Sequence, residues 1–210
     1  MKQPIDAMIF DMDGTLWDAV GTYCKVWDAT FAAIGVEHAP VRYEQLLRQM
    51  GKPLEDIFDA IASPDAPYRQ QFFDLLPVME HKLEPVLGGK IYPGVADTLA
   101  TLKRRGIKLF MVSNCLEGGL DNFYAFTGFG PLFTDRRTFG GTGHDKDVNL
   151  AELRTRYNLR RPVYVGDIQR DADSTHAAGM EFVWAAYGFG QCVDPDFTIH
   201  KFDDLLKLEI

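Results

Sequence analysis

The spacing of apolar residues changes character along the chain. Ala7-Met8-Ile9-Phe10 is a short continuous apolar run of strand length, and a polar turn, Asp11 to Asp18, follows it. From about Thr22 to Gly89 the spacing is helical. Tyr23, Val26, Trp27, Thr30, Phe31 and Ile34 fall on one helix face, and Gly35 suits the helix end. Leu46, Leu47 and Met50 repeat the pattern before Gly51. Leu54, Ile57, Phe58 and Ile61 repeat it after Pro53, a good first-turn residue. A last segment, Tyr68 to Leu87, carries Phe72, Phe73, Leu76, Met79, Leu83 and Val86, and Pro77 is expected to kink or split it. These aromatic stripes read as the core of a small helical bundle.

From Lys90 onward helices and strands alternate. Pro93-Gly94 opens a helix carrying Val95, Leu99 and Leu102 that ends near Gly106, and a buried strand, Lys108 to Ser113, follows. Next come a helix with Leu116, Leu120 and Phe123, a strand-like piece near Leu132 to Thr134, and a helix beginning near Lys146. Pro162-Val163-Tyr164-Val165 reads as another buried strand, with a helix from about Gln169 to Ala178 closed by Gly179. Glu181 to Ala185 reads as the last strand and Phe202 to Leu206 as a last short helix. Short apolar strands alternating with helices predict an α/β fold: a Rossmann-like parallel sheet in a three-layer α/β/α core.

Composition narrows the function classes. The 210 residues are 46% hydrophobic, enough for one substantial core or a core with a small appended subdomain. The net charge is -8, and Lys and Arg form no cluster that would make a face for nucleic acid. Met1 to Phe10 lacks the features of a signal peptide, and no apolar stretch has the length of a membrane span. Cys24, Cys115 and Cys192 are odd in number and far apart, which predicts free thiols in a cytoplasmic protein. No base is identifiable beside Cys115, so it is not expected to act as a nucleophile.

In parallel sheets, ligands bind beyond the carboxyl ends of the strands. Those ends carry Asp11 and Asp13, then Ser113 and Asn114, then Gly166 and Asp167: small, polar or acidic residues each time. Two carboxylates facing one pocket repel unless a cation or proton intervenes, and hard oxygen ligands select Mg²⁺. Gly14 permits a tight turn, and Thr15 offers a hydroxyl to a phosphate oxygen. Two glycine-containing segments are set aside. Gly141-Thr142-Gly143 has no long apolar strand feeding it, and Gly188-Phe189-Gly190 lacks a following helix. His144 reads as an exposed loop residue.

Phe10-Asp11-Met12-Asp13-Gly14-Thr15-Leu16 resembles the first motif of the haloacid dehalogenase superfamily. Ser113 after Leu109-Phe110-Met111-Val112 matches the second motif, Lys146 the third, and Val165-Gly166-Asp167-Ile168-Gln169-Arg170-Asp171 the acidic fourth. Lys146 is followed by Asp147-Val148-Asn149, where the family commonly has proline. The resemblance spans the chain, and the helical block looks like the cap domain of the phosphoglycolate phosphatase-like branch. It implies a core of residues 1–17 and 90–210 with an inserted cap of residues 18–89.

The roles that the resemblance implies are these. Asp11 is the nucleophile, forming an aspartyl-phosphate. Asp13 is the general acid and then the base, its backbone carbonyl meeting the metal. Ser113, Asn114 and Lys146 hold phosphoryl oxygens together with Gly14 and Thr15. Asp167 completes the Mg²⁺ site with Asp11, and Asp171 orients Lys146 or a metal-bound water. For Ser113 helix capping is the alternative, and for Lys146 a solvated position at a helix start. Met50-Gly51-Lys52-Pro53-Leu54 resembles the specificity loop of capped members. Lys52 there either meets a substrate carboxylate or second phosphate, or is an ordinary turn lysine. An acid at position 13 favours phosphate esters over halides or phosphonates. The expected protein is a Mg²⁺-dependent phosphatase of a small phosphate ester, a monomer or weak homodimer. A sugar-phosphate mutase and a non-catalytic protein on the same fold are the alternatives.

Overall fold

The computed structural model describes residues 4–208. The chain opens with β1 (Ala7–Phe10), whose four residues are all buried, and β2 (Trp17–Asp18). Four helices follow: α1 (Val20–Ala33), α2 (Tyr43–Leu47), α3 (Leu54–Ile61) and α4 (Arg69–Leu87). Next come β3 (Lys90–Ile91), α5 (Val95–Arg104), β4 (Lys108–Ser113), α6 (Gly119–Thr127), β5 (Asp135–Thr138), α7 (Phe139–Thr142) and α8 (Lys146–Arg156). The chain closes with β6 (Pro162–Gly166), α9 (Gln169–Ala177), β7 (Glu181–Ala185), β8 (Phe197–Ile199) and a 3-10 turn, Phe202–Leu206.

Six strands make one parallel sheet in the order β5-β4-β1-β6-β7-β8. Side chains alternate across it. Met8, Phe10, Leu109, Met111, Val163 and Val165 pack on one face, and Ala7, Ile9, Phe110, Val112 and Tyr164 on the other. Burial on both faces explains why these strands read as unbroken apolar runs. This is the expected three-layer α/β fold. Because β1 is flanked by β4 and β6, the ends of these three strands meet in one crevice.

Helices α1 to α4 gather a separate apolar cluster. Its centre is Trp27, Phe31, Phe58 and Phe72, with the Trp27 and Phe72 rings 4.9 Å apart. The antiparallel pair β2–β3, Trp17 against Ile91 and Asp18 against Lys90, joins the two chain crossings at the foot of this helical block. Phe72 is fully buried and touches four of the block's aromatic rings. Phe72→Ala is therefore expected to cost about 3–5 kcal/mol, read as a lower urea midpoint by the fluorescence of neighbouring Trp27.

Four local expectations need correction. Pro77 does not split α4, which runs through both Pro77 and Pro85. Pro77 is exposed, so the carbonyl it leaves without a donor lies on the water side. Val86, placed in the apolar stripe, is 76% exposed because the stripe ends before it. The strand expected at Leu132 to Thr134 lies at Asp135–Thr138, while Leu132 packs onto the core from a 3-10 turn. An edge strand of sequence Asp-Arg-Arg-Thr has no apolar alternation to reveal it. The edge strand β8 follows the strand read as the last, and its three residues are too few to carry a pattern.

Candidate active site

Asp11 is the first residue beyond β1, and its backbone N–H donates to Val165 O at 2.9 Å, which pins it against β6. Burial raises its carboxyl to about 6, with Asp171 adding to the rise and Lys146 opposing it. Lys146 opens α8 and is only 5% exposed. Its Nζ donates to Asp11 Oδ1 at 3.1 Å and to Asp171 Oδ1 at 2.6 Å, and lies 5.3 Å from the centre of the Tyr164 ring. Burial alone would depress the ammonium, but the two carboxylates outweigh it and keep Lys146 charged. A solvated lysine is thereby ruled out. Asp171 Oδ2 accepts from the backbone N–H groups of Asp167 and Ile168 at 3.0 and 3.2 Å. Asp171 thus ties Lys146 to the end of β6.

Asp13 is held on one side only. Trp17 Nε1 and Tyr23 Oη both donate to its Oδ1, at 3.0 and 2.8 Å. Burial pushes its carboxyl up to about 8, against the pull of the Tyr23 hydrogen bond. That rise favours the protonated form toward neutral pH. The helical stripe of α1 places Tyr23 as a core residue and hides this polar contact. Periodicity reports which face a residue is on and says nothing of what its hydroxyl meets.

Asp167 ends the β6 turn. Its Oδ2 accepts from the Phe189 backbone N–H at 2.7 Å, and burial, with Asp171 and Asp11 nearby, pushes its carboxyl well up. The loop Gly188-Phe189-Gly190, set aside from sequence, therefore supports the site through its backbone. Gly14 (φ 75°) abuts the same carboxylate, where any added Cβ would overlap it. Asp11, Asp167 and Asp171 each place a carboxylate oxygen within 4.8 Å of the others. Asp171 is already engaged by Lys146 and two backbone N–H groups, which leaves Asp11 and Asp167. The bridge between Asp13 and Trp17 uses the Met12 and Trp17 carbonyls, and the Asp13 carbonyl takes part in neither of its bonds. The Asp11 and Asp167 carboxylates are close hard oxygens without full charge compensation, and with the Asp13 carbonyl left over by the turn they make a donor set that fits Mg²⁺.

A cavity of about 320 Å³ opens between the strand ends and the helical block. Asp11, Asp13, Ser113, Asn114, Lys146, Asp167 and Lys52 all line it. Gly14, Thr15 and Asp171 are not among the lining residues. The Thr15 hydroxyl is buried without a partner. Ser113 Oγ accepts from Cys115 N at 3.3 Å, closing a local turn, and α6 begins only at Gly119. Burial pushes the Cys115 thiol far up, so it supplies no thiolate. His144 is exposed. Gly51 (φ 81°) packs so closely on Ile168 that a Cβ would overlap it, which brings the Met50–Leu54 loop against the site. Lys52 is exposed at this rim, its Nζ donating to Gln49 Oε1 at 2.8 Å.

Four lining acids escaped the sequence reading, Glu55, Glu80, Glu84 and Asp145, of which Glu80 and Glu84 belong to α4. Phe72, Leu76, Glu80 and Glu84 are spaced by four, so both acids continue an apolar row of the helix. Acids at core positions were the available signal.

The sequence model of the family described as "Haloacid dehalogenase-like hydrolase" matches residues 8–185. The chain belongs to this haloacid dehalogenase-like hydrolase family. It is a hydrolase of the phosphatase type. Among its relatives, a phosphoglycolate phosphatase of Aquifex aeolicus is 27% identical over 96% of this chain and 95% of its own. The pyrophosphatase PpaX of Bacillus pumilus is 28% identical over 99% and 97%. A protein of Haemophilus somnus described as a predicted phosphoglycolate phosphatase has the same fold, with a TM-score of 0.83 at 19% identity over 98% of both chains. CbbY of Rhodobacter sphaeroides, solved in complex with phosphate, gives a TM-score of 0.80 at 17% identity over 96% of both.

Proposed function

We propose that the protein is a Mg²⁺-dependent phosphatase that hydrolyses a small phosphate monoester through an aspartyl-phosphate on Asp11. The observation that carries this reading is the buried contact of Lys146 with Asp11 at the mouth of β1, beside Asp13, whose carboxyl burial raises to about 8. Asp11, Asp167 and the Asp13 carbonyl are the groups that would hold the ion, whose charge would offset that of the phosphoryl oxygens.

A carboxylate oxygen of Asp11 attacks phosphorus, and the bond from phosphorus to the ester oxygen breaks. Asp13 gives its proton to that oxygen, and the alcohol leaves. Asp13, now a carboxylate, takes a proton from water as the water oxygen attacks phosphorus. The acyl-phosphate bond breaks, which restores Asp11 and releases inorganic phosphate. Lys146 and Ser113 stabilise the phosphoryl oxygens, with Asn114 at the same edge. Asp171 holds Lys146 in place. Thr15 offers its unpartnered hydroxyl at the turn.

The same reading divides the chain into a core of residues 1–17 and 90–210 and a cap of residues 18–89. The separate aromatic cluster and the paired β2–β3 crossings support the division. The first three and last two residues of that core lie outside the described residues. No described helix is long and apolar enough to cross a membrane, and the three cysteines are free, which supports a reducing cytoplasm.

The direct test is phosphate release from a panel of small esters with Mg²⁺ and again after chelation. Release that depends on the metal is expected. No release from any ester would sink the reading. Lys52 is proposed to act at the rim on a distal group of the substrate. Lys52→Ala is then expected to raise KM for the preferred ester about ten-fold and to change KM for a generic aryl phosphate little. Equal losses on both would return Lys52 to an ordinary turn residue.

A further inference from the structure

The part of the cavity nearest Asp13 is acidic without a counter-charge. Glu80 and Glu84 both line the cavity from α4 and lie near enough to Asp13, the proposed acid for the leaving alcohol, for their charges to act on one another. Glu84 is 3% exposed. Asn122 Nδ2 of α6 donates to its Oε2 at 2.8 Å, and no donor among the described residues reaches Oε1. Glu80 has no hydrogen-bond or ion-pair partner among the described residues. Asp13 and Glu84 act on Glu80 through their charge, and burial with these neighbours pushes its carboxyl well up. Burial likewise raises Glu84 to about 7.

No cation among the described residues pairs with these acids, and Arg170, which also lines the cavity, donates to the Gly51 carbonyl at 3.4 Å. Lys146 is spent on Asp11 and Asp171, and Lys52 is turned to Gln49 at the rim. Buried carboxylates are ordinarily paired, and an unpaired one is costly. Two aromatic residues of α1, Tyr23 and Trp27, line the same cavity as the two glutamates. Carboxylates beside aromatic faces suit an ammonium, through charge and through the ring quadrupole. They disfavour a second anionic group near the ester oxygen.

We infer that the substrate is a phosphate monoester of a small amino alcohol, whose cationic nitrogen seats between Glu80 and Glu84. The inference rests on the phosphatase reading above and adds the chemical class of its leaving group. The cation would replace the missing partner of both carboxylates. Lys52, at the rim, is left to groups farther from the ester bond.

The test compares kcat/KM of the wild-type enzyme with Mg²⁺ on three esters of similar size. These are O-phosphoethanolamine, glycerol phosphate and phosphoglycolate, which carry an ammonium, neutral hydroxyls and a carboxylate. p-Nitrophenyl phosphate serves as a reference for bare phosphatase activity. The ammonium ester is expected to lead the carboxylate ester by about ten-fold or more. Glu80→Gln and Glu84→Gln should each narrow that ratio by about five-fold, mostly through KM for the ammonium ester. Gln is close to isosteric and can still accept from Asn122, and the wild-type ratio needs no variant. Preference for the neutral or the carboxylate ester, with p-nitrophenyl phosphate hydrolysed, overturns the inference and leaves the phosphatase reading standing. So does a ratio unchanged in both variants. Failure on all four esters overturns both.

Discussion

Asp11→Asn is expected to lower phosphate release by about 10⁴-fold or more on every ester, aryl phosphates included. The amide has no carboxylate oxygen to attack phosphorus, so the first step is lost however good the leaving group. Asp13→Asn should behave differently. A p-nitrophenolate leaves without a proton, so the loss of the acid falls mainly on alkyl esters. The fold should survive Asp11→Asn, because Asn fills the same space and removes a carboxylate that burial already disfavours. Unchanged circular dichroism with absent turnover is the expected pair of results. Acid-quenched protein that has met ³²P-labelled substrate should retain label only when Asp11 is present. A variant that kept more than about a hundredth of wild-type activity would remove Asp11 from the role of nucleophile.

Much of this site was legible because its chemistry lies in local order. Asp11, Asp13, Ser113 and Asp167 follow three apolar runs, and those runs form the adjacent strands β4, β1 and β6. A residue just past a buried strand has little choice about where it sits, so position in sequence gave position in space. Lys146 was legible by its place at a helix start. Its burial was not, because that depends on Asp11 and Asp171 meeting it from 135 and 25 residues away. The same holds for Tyr23 and for Glu80 and Glu84. The helical period told where the apolar face of α1 or α4 lies, but which core-facing positions line the cavity depends on how the helical block sits over the sheet. The Phe189 backbone donor to Asp167 was hidden for a further reason. A main-chain N–H leaves no mark in the sequence, and only the surrounding glycines hinted at close approach.

Lys146→Met should impair both stability and turnover, and the two losses have separable causes. Lys146 Nζ is the buried cation between Asp11 and Asp171. Removing it leaves two buried carboxylates facing each other, a change that typically costs about 3–5 kcal/mol. Without Lys146, the Asp11 carboxyl rises further above the value of about 6 that it holds in the intact site. Between its ordinary value of 3.8 and that raised one, the folded protein binds the proton that the unfolded chain has lost. Stability then falls as pH rises. The deficit against wild type, measured by urea without divalent cation, is therefore expected to be larger at about pH 8 than at about pH 5. Turnover should drop about 10²–10³-fold, because the developing charge on the phosphoryl oxygens loses a donor that is already in place. Adding Asp171→Asn to Lys146→Met removes one of the facing charges and should return part of the stability and none of the activity. A double variant that regained turnover would mean that Lys146 serves the fold and not the phosphoryl group. A Lys146→Met protein with wild-type stability would mean that the contact with Asp11 and Asp171 contributes nothing to the fold.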